Sequence, residues 1–492
     1  MRRSWMVFVL VAAGCFDAPV ERPVNRVTQA TPIRVPQNAQ NKVDILFMVD
    51  NSPSMDAMQS ELKARFGDFF KVFQDLAAKG TFADLHIGVV TSDYGAGRGD
   101  MAGGCDPSPG GQRGILQASN GGCAGPSGKR YIEYRFGENG ATGNVTDLVG
   151  AFTCMASVGS KGCGFEHQLE SVYAALHNTV ENAGFLRDDA LLVIVFVTNE
   201  DDGSAPPDTD IYSRAATQYG YFDTYRQTQF AIQCGAPPMA PPYGTSNGPL
   251  SQCAPAAPPL GKAFDVQRYI DLFTRPRAQG GVKVNPDDVI LVGIDAPTAP
   301  VEIILAQSGT GNGRAPNPAY VRCNALSPPA CFVALEHSCQ NRRQPEFFGD
   351  PAVRINAVVS AARIHQITSI CGDDLDAPPD YSGAMQGLAK LISSQIGEGC
   401  IPAKVDDPTA PVCDVEDMTA LADGTVRLAP IPRCTSPVTT HPCWRVEVKP
   451  QCADLSPQSI GVTIDRNGMD APPNTTARVE CDTIATGPSG LI

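Results

Sequence analysis

The first dense apolar run after the N-terminal 42 residues is Val43-Asp44-Ile45-Leu46-Phe47-Met48-Val49, broken only by Asp44. A run of strand length that is apolar on both faces reads as a strand buried on both sides, as in a parallel sheet. Over 54–79 the period changes. Met55, Met58, Leu62, Phe66, Phe69, Phe70, Val72, Phe73 and Leu76 recur at helical spacing, and Gly80 ends the segment. The alternation then continues. Apolar runs at 85–91, 191–197, 289–294 and 364–370 read as strands, the last as the edge strand. Segments 145–156, 168–178, 265–273, 352–362 and 381–396 read as helices. Strand and helix taking turns predict an α/β fold over about 43–400, a doubly wound, mostly parallel sheet flanked by helices.

Three stretches break this rhythm. Residues 94–130 are Gly-rich, 203–262 are dense in Pro, Gly and Ala, and 305–350 carry three cysteines; all read as insertions. After 400 the pattern shifts again. Short β-like runs (425–428, 444–448, 460–464) alternate with Pro, Gly and Asp, and five cysteines crowd residues 413–481. This predicts a small Cys-rich β module over 401–492, with Asp465-Arg466-Asn467-Gly468 as a hairpin turn signal.

Composition sets the environment. The chain has 492 residues, 42% hydrophobic, with 47 Gly and 42 Pro, enough for a true core joined by long irregular connections. The formal net charge is −14, which argues against nucleic acid and anionic membrane surfaces as partners and is compatible with cation binding. Seventeen cysteines without paired C-x-x-C spacing point to an oxidising compartment. Arg2 and Arg3, the apolar stretch 5–13 and the small residues before Cys15 predict a signal peptide over 1–14, too short to span a membrane. Its cysteine position resembles a bacterial lipoprotein signal, which implies lipidation of Cys15 and a membrane anchor there. Ala12 stands where that signal prefers Leu, so ordinary cleavage stays open. Residues 15–42 then read as a tether. The other sixteen cysteines can form up to eight disulfides. The odd five of the C-terminal module imply one bond back, with Cys400 the candidate.

Candidate chemistry sits where the first strand ends, in Asp50-x-Ser52-x-Ser54. One carboxylate and two hydroxyls on a tight loop at the carboxyl end of a parallel sheet are hard oxygen donors, suited to Mg²⁺, Mn²⁺ or Ca²⁺. With a strand before and a helix after, this stretch resembles the start of a von Willebrand factor type A (VWA) domain, in which Asp-x-Ser-x-Ser opens the metal-ion-dependent adhesion site. The resemblance covers about residues 41–400. It implies a second ligand loop, where Glu166 falls in place of the family's Thr, and a third, where Asn199 falls in place of its Asp. The carboxylate count would be kept by moving one charge between loops. Glu200 and Asp201 are further candidates.

Three function classes follow. The first is an exported, lipid-anchored protein of the bacterial envelope that binds Mg²⁺ or Ca²⁺ through Asp50, Ser52, Ser54, Glu166 and Asn199. An acidic group of a protein partner would complete the shell. The second is a structural envelope protein with a degenerate metal site. The third, a metal-dependent hydrolase, has little support. Among six histidines there is no His-x-x-x-His pair, and 244–248, which matches G-x-S-x-G, lacks the strand and helix of a nucleophile elbow. Arg98-Gly99-Asp100 lies in a Gly-rich loop and is set aside as chance.

Overall fold

A computed structural model describes residues 28–36 (main chain), 41–98, 105–119, 122–219, 224–239, 241–245, 248–308, 320–323, 331–396, 399–421, 425–437, 440–453, 455–469, 471–472 and 475–484. The leader and Cys15 lie outside these residues.

In chain order the elements that matter are β1 (Thr28–Pro36), β2 (Lys42–Val49), α1 (Asp56–Ala64), α2 (Phe66–Ala77), β3 (Asp84–Thr91), β4 (Ile132–Arg135), β5 (Thr142–Gly143), α3 (Leu148–Ala156), α4 (Gln168–His177), β6 (Leu191–Val197), α5 (Thr224–Ala231), α6 (Gln267–Thr274), β7 (Val289–Asp295), α7 (Val353–Val359), β8 (Ile364–Ser369) and α8 (Ser382–Ile396). The module adds β9 (Cys413–Ala420), β10 (Val426–Pro430), β11 (Cys443–Val448), β12 (Ile460–Asp465) and β13 (Thr475–Ile484).

The central sheet has seven strands in the order β8-β7-β6-β2-β3-β4-β5. Five are parallel, and β4 and β5 extend one edge antiparallel. The strand read as an edge from its sequence is the opposite edge. Alternation along β2 feeds two cores. Val43, Ile45, Phe47 and Val49 pack with α1, α2, α3 and α8, whereas Leu46 and Met48 pack with α4, α6 and α7. On the first side Phe47, Phe66, Phe69 and Phe152 meet ring to ring at 4.0–6.4 Å. This is the doubly wound architecture the pattern predicts.

Three expectations need correction. The single helix over 54–79 is two helices, because Arg65 departs from helical backbone (φ −102°, ψ 2°). The insertion 203–262 is not merely surface: Arg226, Gln227, Thr228 and Gln229 on α5 are buried. The stretch read as a tether contains β1, which pairs antiparallel with β13 from Thr28↔Ile484 to Pro36↔Thr476. The main chain thus finds its hydrogen-bond partners in the C-terminal module. That module has a sheet of order β1-β13-β9-β10 beside the pair β11-β12, around Trp444, Ile460, Val462, Val479 and Cys481.

All sixteen cysteines beyond Cys15 pair, and Cys400–Cys452 is the bond back from the module. Cys105 and Cys123 do not close their own insertion. They tie it to Cys163 and Cys154, next to the second ligand loop and on α3. Eight disulfides mark a chain that folds in an oxidising environment. Among the described residues no helix is long and apolar enough to cross a membrane.

Candidate metal centre

The register of three neighbouring strands builds the site. Val49 lies opposite Thr91 of β3 and Val197 of β6. The next residue of each strand, Asp50, Ser92 and Thr198, therefore arrives at the same edge. Asp50 is fully buried, and its Oδ1 accepts from the Ser52 amide (2.8 Å) and Ser92 Oγ (2.9 Å). Thr198 Oγ1 donates to its Oδ2 at 2.7 Å. Gln59 of α1 donates to the Asp50 carbonyl and to the Gly159 carbonyl, linking the first and second loops.

The first and third loops meet through Ser54. Its Oγ lies 2.9 Å from Ser52 Oγ and donates to Asn199 Oδ1 at 2.9 Å. The Asn199 Nδ2 is buried without a partner. Turning the amide over would let Nδ2 donate to Ser54 and free Oδ1 as a ligand.

The second loop approaches β2 through Gly162, whose amide donates to the Asn51 carbonyl (2.9 Å). A Cβ on Gly162 would stand 2.4 Å from Asn51 Oδ1, so a larger residue here would have to displace the Asn51 amide. Glu166 follows, 1% exposed, with Gln227 of α5 donating to its Oε2 at 3.0 Å. Its carboxyl is pushed up to about 8, first by burial and then by the Asp50 charge. Glu200 is hydrogen-bonded to Glu166 and raised well above the usual range, by burial and then by the charges of Glu166, Asp350 and Asp50. Part of Glu200 remains accessible to solvent. Asp50 is raised by burial as well, against hydrogen bonds from Thr198, Ser52 and Ser92. The strongest influences on these three acids include no basic side chain.

Asp50, Ser52, Ser54, Asn199, Glu166 and Glu200 thus belong to one pole, the carboxyl end of the sheet. Asp201 does not join them. Its two oxygens accept from the Arg354 and Ile355 amides at the start of α7, at 3.0–3.1 Å. Its neighbour Asp202 pairs with the fully buried Arg354 at 3.1 Å. Asp201 anchors the third loop and is removed from the ligand set. Sequence reasoning missed Ser92 and Thr198, although Thr198 is the first polar residue after its apolar strand and Ser92 directly follows β3. It missed Gln227 because nothing in a Pro/Gly-rich insertion marks a buried glutamine.

A hard divalent cation fits these donors. They are carboxylate, hydroxyl and amide oxygens, with an unpartnered buried amide among them. Among the described residues no three His, Cys, Asp or Glu side chains alone form a metal cage. A cation held here would therefore have to draw on the hydroxyls and the amide as well.

The doubly wound sheet, the position of the Asp-x-Ser-x-Ser loop and the two further loops at the same edge agree with the resemblance. The fold is VWA-like. No family model and no curated protein matches the sequence. Among solved structures the chain is similar to the pilus adhesin SpaC from Lactobacillus rhamnosus GG in its open conformation (8% identity, 94% of this chain and 43% of that one, TM-score 0.28). It is also similar to a von Willebrand factor type A protein from Catenulispora acidiphila (9%, 94% and 66%, TM-score 0.27). A third is the adhesive tip pilin GBS104 from Group B Streptococcus agalactiae (9%, 94% and 83%, TM-score 0.28). The chain spans less than two thirds of the first two. Scores this low carry no argument of their own, and the VWA-like assignment rests on the sheet and its loops.

Proposed function

We propose that this is an exported, surface-held binding protein whose loop pole takes a divalent cation, Mg²⁺ or Ca²⁺, and through that pole engages a protein partner. The observation that carries the reading is the convergence of Asp50, Ser52, Ser54, Asn199 and Glu166 on one edge, where Ser54 bridges Ser52 and Asn199 and where the strongest influences on buried Asp50 and Glu166 include no basic side chain. Leaving buried carboxylates uncompensated is costly, and a cation would remove that cost. Asp50, Ser52, Ser54, Glu166 and Asn199 would hold the ion directly or through water, Glu200 standing beside them. An acidic group of the partner would complete the shell, as the resemblance implies. Attachment to the envelope would run through a lipid on Cys15. Binding rather than turnover fits a site that presents no nucleophile–base pair.

The test is thermal unfolding of the full chain with and without divalent cations. A bound ion present at a hundredfold excess over its Kd adds about 2.7 kcal/mol to folding. The melting temperature should rise with Ca²⁺ or Mg²⁺ and return with chelator. An unchanged melting curve at millimolar metal would favour the degenerate-site reading instead.

A further inference from the structure

Two observations fix which end of the molecule the N-terminal segment leaves from. The first is β1. It is zipped along β13, nine residues in continuous register, and only five residues, 37–41, join it to the start of β2. Five residues span at most about 18 Å, so β1 ends close to the amino-terminal edge of the central sheet. The second is the seat of the module. Arg363 immediately precedes β8, and Asp287 lies just ahead of β7. Arg363 pairs with Asp287 (3.6 Å) and with Glu480 of β13, while Arg478 of β13 reaches Asp287 (3.8 Å) and pairs with Glu416 of β9. Glu480 lies opposite Pro32, the middle of β1. The module and β1 therefore sit against the amino-terminal edge. The metal loops occupy the other edge, about 26 Å away along eight-residue strands.

We propose that the chain is held by its base: the pole formed by β1 and the C-terminal module faces the surface to which the N-terminal segment is attached, and the metal loops face outward toward the partner. This rests on the Cys15 anchor put forward above. Twelve residues, 16–27, separate Cys15 from β1, a length of chain that spans at most about 40 Å. The base is therefore kept nearer the membrane than the loops. A further feature of the base fits a surface contact. Val412, Leu421, Leu428, Val448 and Met469, five of the eight large apolar side chains exposed among the described residues, belong to the module.

The orientation can be read by energy transfer to a membrane dye. Cys15 is the one cysteine outside the eight disulfides, so the full chain can be coupled there to a maleimide lipid and bound to neutral phosphatidylcholine vesicles. A donor is placed by click chemistry at exposed Lys161, beside the second metal loop, or at exposed Arg427 on β10, each replaced by azidophenylalanine. Transfer to a bilayer acceptor several-fold greater from 427 than from 161 is expected. Equal transfer, or greater transfer from 161, would overturn the orientation. Circular dichroism of both labelled chains checks that they fold. The anchor itself is tested apart from this. A mass spectrum of the chain made in cells that process lipoproteins shows or lacks the added lipid, and its absence defeats the anchor while the coupled-vesicle result still judges the geometry.

Discussion

The two ends of one sheet treat buried acids in opposite ways. At the amino-terminal edge Asp44 is fully buried and Asp84 stands beside it. Arg187 reaches both, with Nε 2.7 Å from Asp44 and Nη1 2.8 Å from Asp84, and Arg135 adds a second cation on Asp84 (2.5 Å). Burial raises the Asp44 carboxyl, but what opposes it is chiefly the charge of Arg187 and then Lys283. At Asp84 burial is overcome by Arg135 and Arg187, and the carboxyl is lowered. A surface cavity of about 350 Å³ opens here, lined in part by Lys42, Asp84, Arg135 and Arg187. These cations already have partners within the chain. At the carboxyl edge burial raises Asp50 and Glu166 against hydrogen bonds alone, and at Glu200 the neighbouring acids add to the rise. The comparison teaches that a buried acid is held as structure where the chain supplies its cation, and that the opposite edge, where hydrogen bonds and neighbouring acids dominate, is the place to look for a cation from solution.

The largest expected effect comes from breaking the self-contained end. Arg187→Ala takes the main cation from buried Asp44, leaving His86 at 3.7 Å and the charge of Lys283, a change that costs about 3 kcal/mol. Denaturant melts should show that loss, with ion binding at the far edge unchanged. A loss below about 1 kcal/mol would mean that Asp44 is not held by Arg187.

The next effect is on pH dependence. In the folded chain Glu166 keeps its proton up to about 8, against 4.5 for an ordinary Glu. The folded state binds that proton more tightly than the unfolded one. Its contribution is therefore fully present below pH 4.5 and is lost as pH rises to about 8. Metal-free melting temperatures should fall across that window. Glu166→Gln should flatten the fall and abolish ion binding. A metal-free chain that gains stability from pH 5 to 8 would contradict the account of this pole.

Ser54→Ala should give the smallest effect. It removes a hydroxyl bonded to Asn199 Oδ1, about 1 kcal/mol in the absence of metal, and should weaken ion binding about tenfold. Titration of the variant checks this, and unchanged affinity would take Ser54 out of the ligand set.

How much of this the sequence discloses depends on range. β2, β6 and β7 are legible because strands buried on both faces are apolar throughout, and the Asp50-Ser52-Ser54 loop is legible because it directly follows one of them. Glu166 and Asn199 could be placed only by their position before a helix and after a strand. Ser92 and Thr198 needed the register of three strands, a long-range property. Asp201 looked like a ligand because one-letter spacing cannot show that two backbone amides of α7 already fill it. β1 was hidden for a similar reason. Residues 28–36 contain two prolines and little apolar alternation, and their partner strand lies almost 450 residues away. Without it β13 would lose one neighbour, so any shortened chain has to begin before Thr28.

The most direct test of the central claim is calorimetric titration of Ca²⁺, Mg²⁺ and Mn²⁺ into the full chain at pH 7, in two buffers of different ionisation heat, beside Asp50→Ala. The account predicts saturable binding of at least one ion, lost in the variant. It also predicts proton release, since the ion must displace a proton shared by Glu166 and Glu200. A folded wild-type chain that binds no divalent cation up to millimolar concentration, or binds equally well without Asp50, would contradict it.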